Sequence, residues 1–144
     1  MTDNFNLERF IEAQHQMYDD VINELKNGQK RSHWMWFIFP QVKGLGNSAI
    51  AQKYAINSEG EAYAYLSHPI LGKRLRECTK LVVDLTGKTA NKIFGYPDVL
   101  KFKSSMTLFK HVATDAELFQ KAIDKYFNGT EDQLTIDILC KQIQ

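Results

Sequence analysis

Helix start and stop signals recur along this chain and constrain its fold more than any other feature. The capping-box pattern, Ser or Thr followed three residues later by Glu or Gln, occurs at Ser58–Glu61, Thr114–Glu117 and Thr130–Gln133. Glycines follow several helical patterns, at Gly28, Gly87, Gly95 and Gly129. No Asn-Gly or Asp-Gly hairpin joins two alternating strands. The sequence therefore predicts an all-α fold, a compact single domain of about seven helices that spans residues 1–144.

Local signals also predict where individual helices begin and end. Apolar residues spaced three and four apart predict a first helix over Leu7–Asn27, with Asn6 as its N-cap. The remaining signals are Ser48 opening a helix to Ala55, His68 capping before Pro69, Thr89 starting a short turn, Pro97 opening a helix to His111, and a last helix over Leu134–Ile143.

Composition excludes several classes of protein. Hydrophobic residues make up 44% of the 144 residues, aromatic residues 12%, and the formal net charge is +1. Disordered chains have fewer aromatic residues and a larger net charge, so the composition argues against disorder. General nucleic-acid binders carry a strong basic excess, so a nucleic-acid partner is not expected. The longest apolar run, Trp34–Phe39, is too short to span a bilayer, so membrane association is not expected either.

Cysteine usage points to a reducing compartment. Cys78 and Cys140 form no CxxC pair, and both lie in apolar helical patterns typical of buried, inert thiols. Met1–Asn4 contains no basic region ahead of an apolar stretch, so no signal peptide is predicted. These features predict a cytoplasmic location. The four histidines lack the spacing of metal ligands, and neither a metal site nor a cofactor is predicted.

The run Trp34-Met35-Trp36-Phe37-Ile38-Phe39 is the most unusual local feature. It fits a short helix capped by Ser32 and ending before Pro40, or a buried strand. No obvious strand partner follows, and a lone strand leaves its backbone groups unpaired, which favours the helix. Residues two apart on a helix face different directions, so Trp34 and Trp36 cannot fill the same core site. Either both indoles pack between helices, or one of them covers a pocket and contacts a ligand.

The lead-in to this run is the densest chemical cluster in the sequence. Lys30 and Arg31 supply two cations, Ser32 a hydroxyl and His33 an imidazole. If the protein is an enzyme, His33 is the best candidate for a general acid or base, because the ordinary pKa of imidazole lies near neutrality. The alternative is that the tryptophans are core residues and the two cations face solvent.

A glycine-rich turn follows the aromatic run. Gly44-Leu45-Gly46-Asn47-Ser48-Ala49 matches the G-x-G-x-x-A pattern of dinucleotide-binding loops. That pattern requires a βαβ unit, and the sequence offers no second strand. A tight turn that feeds a helix after Ser48 is the better interpretation, with an anion held at the start of that helix as the alternative.

Two further segments mix polar and apolar residues. Ser104, Ser105 and Thr107 are poor helix formers within a helical pattern, so their hydroxyls either satisfy backbone groups or line a pocket. No G-x-S-x-G elbow accompanies them, which argues against a hydrolase nucleophile. Lys73, Arg74, Arg76 and Lys80 form a basic helix face that includes Glu77. A solvated face with local ion pairs is the simpler interpretation, with Arg74 and Arg76 clamping a carboxylate or phosphate as the alternative.

Several motifs together resemble the family known as domain of unknown function 1810. They are FNLERFIEAQ over Phe5–Gln14, KRSHWMWFIFPQ over Lys30–Gln41, GLGNS over Gly44–Ser48, YLSHPILG over Tyr65–Gly72 and FKSSMTLF over Phe102–Phe109. The resemblance runs over nearly the whole chain, and SHWMWFIFPQ is long enough to be specific. It implies a mainly α-helical bacterial protein and no established activity.

Two functional hypotheses follow from the residues. The first is a domain that binds a small molecule, a nucleotide or another anionic ligand, near the Lys30–Trp36 segment. Its candidate ligand-binding residues are Lys30, Arg31, His33, Trp34, Trp36, Gly44, Gly46, Ser48, Ser104, Ser105 and Thr107. The second is a protein-interaction module with an exposed aromatic anchor. A recessed tryptophan beside Ser104 and His33 would favour the first, and a flat, exposed tryptophan the second.

Overall fold

The computed structural model describes residues 5–143, with side chains as far as residue 141. Within that range the helices are α1 (Glu8–Lys26), α2 (Met35–Ile38), α3 (Ala49–Lys53), α4 (Glu59–Ser67), α5 (Leu71–Asp84), α6 (Ala90–Phe94), α7 (Asp98–Val112), α8 (Glu117–Phe127) and α9 (Gln133–Ile143). The described residues form no strand, so the all-α prediction is confirmed. Within the described range the count is nine rather than about seven, and three of these helices, α2, α3 and α6, have only four or five residues each. The Met1–Asn4 segment, used above for the signal-peptide prediction, lies outside the described residues.

Helix α7 lies at the centre of the fold. It packs against α2, α4, α6, α8 and α9, and it is buried on every side from Ser104 to Phe109. Its hydroxyls tolerate burial because two of them bond to the helix's own backbone. Ser104 Oγ donates to the carbonyl of Leu100 at 3.0 Å, and Thr107 Oγ1 donates to that of Lys103 at 2.9 Å. The interpretation that these hydroxyls satisfy backbone groups is therefore confirmed for Ser104 and Thr107.

The amphipathic helices surround α7 with apolar faces. Helix α1 buries Phe10, Val21 and Leu25, and α5 buries a stripe at three- and four-residue spacing. Aromatic rings that pack edge to face connect these helices. The ring of Phe10 lies 5.0 Å from that of Tyr65, and Phe39 lies 5.0 Å from Phe102. One continuous hydrophobic cluster results, to which α1, α2, α4, α5, α6, α7, α8 and α9 all contribute.

Two of the three capping boxes and the first N-cap were predicted wrongly. Ser58 Oγ does accept from the Glu61 N–H at 3.1 Å. At α8, however, Asp115 rather than Thr114 accepts from the helix, and at α9 the acceptor is Asp132 rather than Thr130. Charged carboxylates accept more strongly than hydroxyls and favour the positive end of a helix. Asn6 adopts a left-handed φ of 52° and makes no cap, and α1 begins after Leu7.

Other local predictions are confirmed. Ser48 and Thr89 cap α3 and α6 by accepting N–H bonds, and His68 Nδ1 accepts from the backbone at the start of α5. Cys78 is buried as predicted, but Cys140 is exposed because the neighbouring Leu139 occupies the inward-facing position on α9. In the described part of the chain no helix is both long and apolar enough to cross a membrane.

Candidate functional site

An apolar-lined cleft opens beside Trp36. It has a volume of about 470 Å³ and lies between α2, the turn before α3, the start of α7 and the start of α9. Its walls are formed by Trp36, Gln41, Leu45, Gly46, Asn47, Ser48, Ala51, Pro97, Leu100, Lys101, Ser104, Asp132 and Leu134. A volume in this range, with mainly apolar walls and a few polar groups, is typical of sites for small molecules.

The two tryptophans of the aromatic run have different environments. Trp34 is fully buried, whereas Trp36 is half-buried and forms a wall of the cleft. The run forms the single helical turn α2, so the helix prediction is confirmed, but Ser32 does not cap it. Lys101 Nζ lies 4.9 Å from the centre of the Trp36 ring, a distance at which a cation is attracted to an aromatic face. The expectation that the two indoles face different sites therefore holds.

The positive charge of Lys101 is only partly balanced. Asp98 pairs with Lys30 at 2.8 Å and with Lys101 at the longer distance of 3.5 Å. The Lys30 side chain is only 7% exposed, so the buried ammonium takes the closer contact with the carboxylate. Two ammonium groups thus share one carboxylate, which leaves Lys101 without a close ion pair of its own.

The turn before α3 forms a second wall and requires glycine at one position. A Cβ on Gly46 would lie 2.7 Å from the Cβ of Ala51, closer than real Cβ atoms approach. A parallel β-bridge between Val42 and Ile56 joins the two ends of this segment, and the Lys43 N–H donates to Ile56 O at 2.8 Å. Gly44, by contrast, is exposed and does not line the cleft. The glycine pattern therefore shapes a cleft wall next to a capped single turn, and no βαβ unit is present among the described residues.

Asp132 contributes a carboxylate to the wall of the cleft. Its backbone N–H donates to Thr107 Oγ1 at 2.9 Å, which ties the start of α9 to α7. Its Oδ2 accepts from the backbone N–H of Thr135 at 3.0 Å and from the Thr135 hydroxyl at 2.6 Å. The cleft lining therefore combines the Lys101 ammonium, the Asp132 carboxylate, the Trp36 indole and apolar side chains.

The structure brings four of the predicted residues together at this cleft and disperses the others. The four are Trp36, Gly46, Ser48 and Ser104. Arg31 and His33 are exposed and do not line it, Lys30 is buried in its ion pair, and Ser105 is fully buried. Ser105 Oγ is a buried side-chain oxygen that lacks a hydrogen-bond partner among the described residues. Thr107 reaches the cleft only indirectly, through its bond to Asp132.

Sequence reasoning missed most of the remaining wall. Lys101 lies three residues before Ser104, on the same face of α7, so helical spacing could have added it. Asn47 lies within the Gly44–Ala49 turn, and Gln41 is the last residue of the KRSHWMWFIFPQ motif. Asp132 and Leu134 carry no local signal, because only the packing of α9 against α7 brings them to the cleft. Among the described residues, no group of three or more His, Cys, Asp or Glu side chains is placed to hold a metal ion.

Trp34 is held in the core by Glu24, a residue that the sequence did not single out. Glu24 Oε1 accepts from the Trp34 indole N–H at 2.9 Å and from the backbone N–H of Arg31 at 2.6 Å. Its Oε2 accepts from the Ser32 hydroxyl at 2.6 Å. Ser32 therefore bonds to α1 instead of capping α2. Burial alone would raise the pKa of this carboxyl, but the hydrogen bonds from Ser32, Arg31 and Trp34 outweigh it and lower the pKa to about 2.

Acidification is expected to remove the stability that Glu24 contributes. Its pKa is lowered on folding, so this contribution is complete above the ordinary value of 4.5 and is lost as the pH falls toward about 2. At neutral pH we expect it to be about 1–2 kcal/mol, because solvent screens this partly exposed carboxyl. The difference in free energy of unfolding between the wild type and Glu24→Gln, measured by chemical denaturation, should shrink across that window. A difference that stays constant from pH 6 to pH 2 would contradict the arrangement.

Comparison with known proteins assigns the chain to a family. Residues 4–139 match the family described as "Protein of unknown function (DUF1810)". The match covers nearly the whole chain, so the protein belongs to this family, as its motifs predicted.

A solved structure of a similar protein has the same fold. The chain is similar to the crystal structure of the conserved hypothetical protein Rv1873 from Mycobacterium tuberculosis, with 48% sequence identity and a TM-score of 0.95 over 96% of this chain and 99% of that chain. A comparison with curated proteins gives no match. The solved structure shares this fold, and neither the family description nor the name of the mycobacterial protein specifies an activity.

Proposed function

We propose that this protein binds a small molecule that joins a flat ring to an anionic group, and that the Trp36 cleft is the site. One observation carries the proposal. The half-buried Trp36 indole walls a cleft of about 470 Å³, and the ammonium of Lys101 lies 4.9 Å from its ring. A nucleotide is the ligand class that this chemistry fits best, because it combines a stacking base with phosphate.

Two charged residues of the cleft lining support this choice of ligand. Lys101 shares its carboxylate with Lys30, so it can attract a phosphate or carboxylate without first losing a close ion pair. Asp132 also lines the cleft and would accept hydrogen bonds from the amino or imino groups of a base. The proposal is limited to binding, because the imidazole of His33 does not line the cleft.

Intrinsic fluorescence provides a direct test, because Trp34 and Trp36 are the two tryptophans of the chain. Adenosine monophosphate is expected to change the emission of Trp36 in a saturable way and to raise the melting temperature. Lys101→Met should weaken binding about ten-fold, the loss expected for one charge-assisted contact. Lys92→Met, at an exposed position on α6, is the matched control and should leave the binding constant within two-fold.

The outcome with single-tryptophan variants separates the cleft from the core. Trp34→Phe should keep the fluorescence response, and Trp36→Phe should lose it. Ribose 5-phosphate lacks the base and is expected to bind at least about ten-fold more weakly than the nucleotide. The proposal is wrong if no nucleoside monophosphate raises the melting temperature of the protein. It is also wrong if adenosine monophosphate raises the melting temperature of Trp36→Ala as much as that of the wild type.

A protein-interaction role is the second candidate, favoured by the rim of the same cleft. Leu100 is 50% exposed and Leu134 is 63% exposed, and exposed apolar groups beside a groove are common at interfaces. Trp36 is recessed rather than flat and exposed, which supports the small-molecule proposal over this one. Lys101→Met separates them: it removes the ammonium that a nucleotide needs, whereas a partner held by Leu100 and Leu134 should bind within about three-fold of the wild type.

The cellular setting forms part of the proposal. Cys78 and Cys140 are both free thiols, as in a reducing environment. The mycobacterial relative supports a bacterial origin. We therefore propose that the protein acts in the bacterial cytoplasm.

A further inference from the structure

A second cleft lies between α1 and the start of α5 and shares no residue with the Trp36 cleft. It has a volume of about 330 Å³ and is lined by Tyr18, Pro69, Ile70, Lys73, Arg74 and Glu77. The tyrosine ring and Ile70, which is 42% exposed, supply apolar surface, and Lys73 and Arg74 supply two positive charges. The chemistry of this cleft is therefore independent of the function proposed above.

The guanidinium of Arg74 is held in place by buried groups. Its Cζ lies 4.7 Å from the centre of the Tyr18 ring, and its Nη1 donates to Gln14 Oε1 at 3.3 Å. Gln14 is only 1% exposed, and its amide donates to Phe37 O at 2.6 Å and to the Tyr65 hydroxyl at 3.0 Å. Both the nitrogen and the oxygen of the Gln14 amide form hydrogen bonds, so this side chain fixes the orientation of Arg74.

Arg74 has donor capacity that the described residues do not use. A guanidinium carries five N–H donors, and the bond to Gln14 is the one hydrogen bond that the described residues provide. Arg74 forms no salt bridge within residues 5–141, and neither does the exposed Lys73 beside it. The unused donors of Arg74 are therefore available to an anion that enters the cleft.

The nearby carboxylate does not fill this role. Tyr18 donates its hydroxyl to Glu77 Oε1 at 2.6 Å, so Glu77 is engaged by the tyrosine. Burial raises the pKa of Tyr18, and its hydroxyl stays protonated as a donor. The first turn of α5 contains no acidic residue, so Lys73 and Arg74 stand unopposed near the positive end of the helix. The charges that line this cleft therefore sum to an excess of one positive charge.

We propose that this cleft binds the carboxylate or phosphate of a small molecule with an apolar body, with Arg74 holding two of the anion's oxygens. Lys73 contributes a second cation, and the apolar body packs between the Tyr18 ring and Ile70. A planar guanidinium matches both anions, so the two classes share this chemistry and are separated by experiment.

Titration calorimetry with phenyl phosphate and with benzoate tests the site. Arg74→Gln is expected to weaken binding of the preferred probe about ten-fold, and Lys73→Ala about three-fold. Glu77→Gln keeps an oxygen acceptor for Tyr18 and removes a negative charge, so it should tighten binding about three-fold. Lys80→Ala, on the same helix but outside the cleft, is the matched control and should leave the binding constant unchanged.

The opposite signs of these changes separate binding from stability. Damage to the fold would weaken binding in every variant, whereas the proposal requires Glu77→Gln to bind more tightly. Phenyl phosphate binding in preference to benzoate identifies a phosphate site, and the reverse a carboxylate site. The proposal is overturned if neither probe saturates below about 10 mM, or if binding is lost in Trp36→Ala and kept in Arg74→Gln.

Discussion

Replacing Gly72 with alanine is expected to destabilise the protein by at least about 3 kcal/mol. A Cβ at this position would lie 1.9 Å from the carbonyl oxygen of Leu66 and 2.9 Å from its carbonyl carbon. Both atoms belong to the backbone of α4, so no side-chain rotation can relieve the overlap. Arg76 Nη1 donates to the same carbonyl at 3.2 Å, so moving α4 away would also strain that bond. We expect the melting temperature to fall by about 10 °C.

The matched control is Gly60→Ala, which places the same methyl group on α4. A Cβ there would meet no atom nearer than 3.6 Å, and the residue is exposed. Alanine favours helix over glycine, so this variant should be as stable as the wild type or more stable by up to about 1 kcal/mol. Thermal and urea unfolding followed by circular dichroism measure both variants. A free energy of unfolding for Gly72→Ala within about 1 kcal/mol of the wild-type value would contradict the close contact between α4 and α5.

Arg9→Met is expected to destabilise the protein by about 3–5 kcal/mol. Arg9 Nη2 pairs at 2.6 Å with Glu61 Oε2, and the Glu61 side chain is 1% exposed. The same guanidinium donates to the carbonyls of Phe5, Asn6, Lys53 and Ala55. Removing it would leave a buried carboxylate without a cation and four carbonyls without this donor.

A double variant tests this reason. Arg9→Met combined with Glu61→Gln removes the unpaired charge, so it should be more stable than Arg9→Met alone. Lys121→Met is the control, because its partner Glu117 is 70% exposed and the pair is expected to contribute less than about 1 kcal/mol. Urea denaturation provides the comparison. If the double variant is less stable than Arg9→Met, the buried charge is not the cause.

Local sequence signals predicted most of the secondary structure because helix formation depends on residues within four positions of one another. The spacing of apolar residues placed α1, and Ser48 and Thr89 capped the helices that they were expected to cap. The errors at α8 and α9 have a local cause as well. In each case an aspartate closer to the helix outcompeted the threonine, which the capping-box pattern alone does not weigh.

The candidate site was predictable only in part. Trp36, Gly46, Ser48 and Ser104 line the cleft, and each stood out in sequence as an unusual residue in its segment. Arg31 and His33 are next to the aromatic run in sequence, yet they do not line the cleft. The reason is that α2 is only one turn long, so its lead-in follows the bonds to Glu24 instead of continuing the helix.

The sequence by itself determined that this protein is helical and that Trp34 and Trp36 face different surroundings, since residues two apart on a helix point in different directions. Tertiary structure decided which indole is buried. Glu24 on α1 accepts a hydrogen bond from the Trp34 indole N–H and holds that ring in the core. Asp132 and Leu134, from the far end of the chain, complete the cleft that Trp36 faces. Contacts across such separations depend on how whole helices pack, which no local pattern specifies.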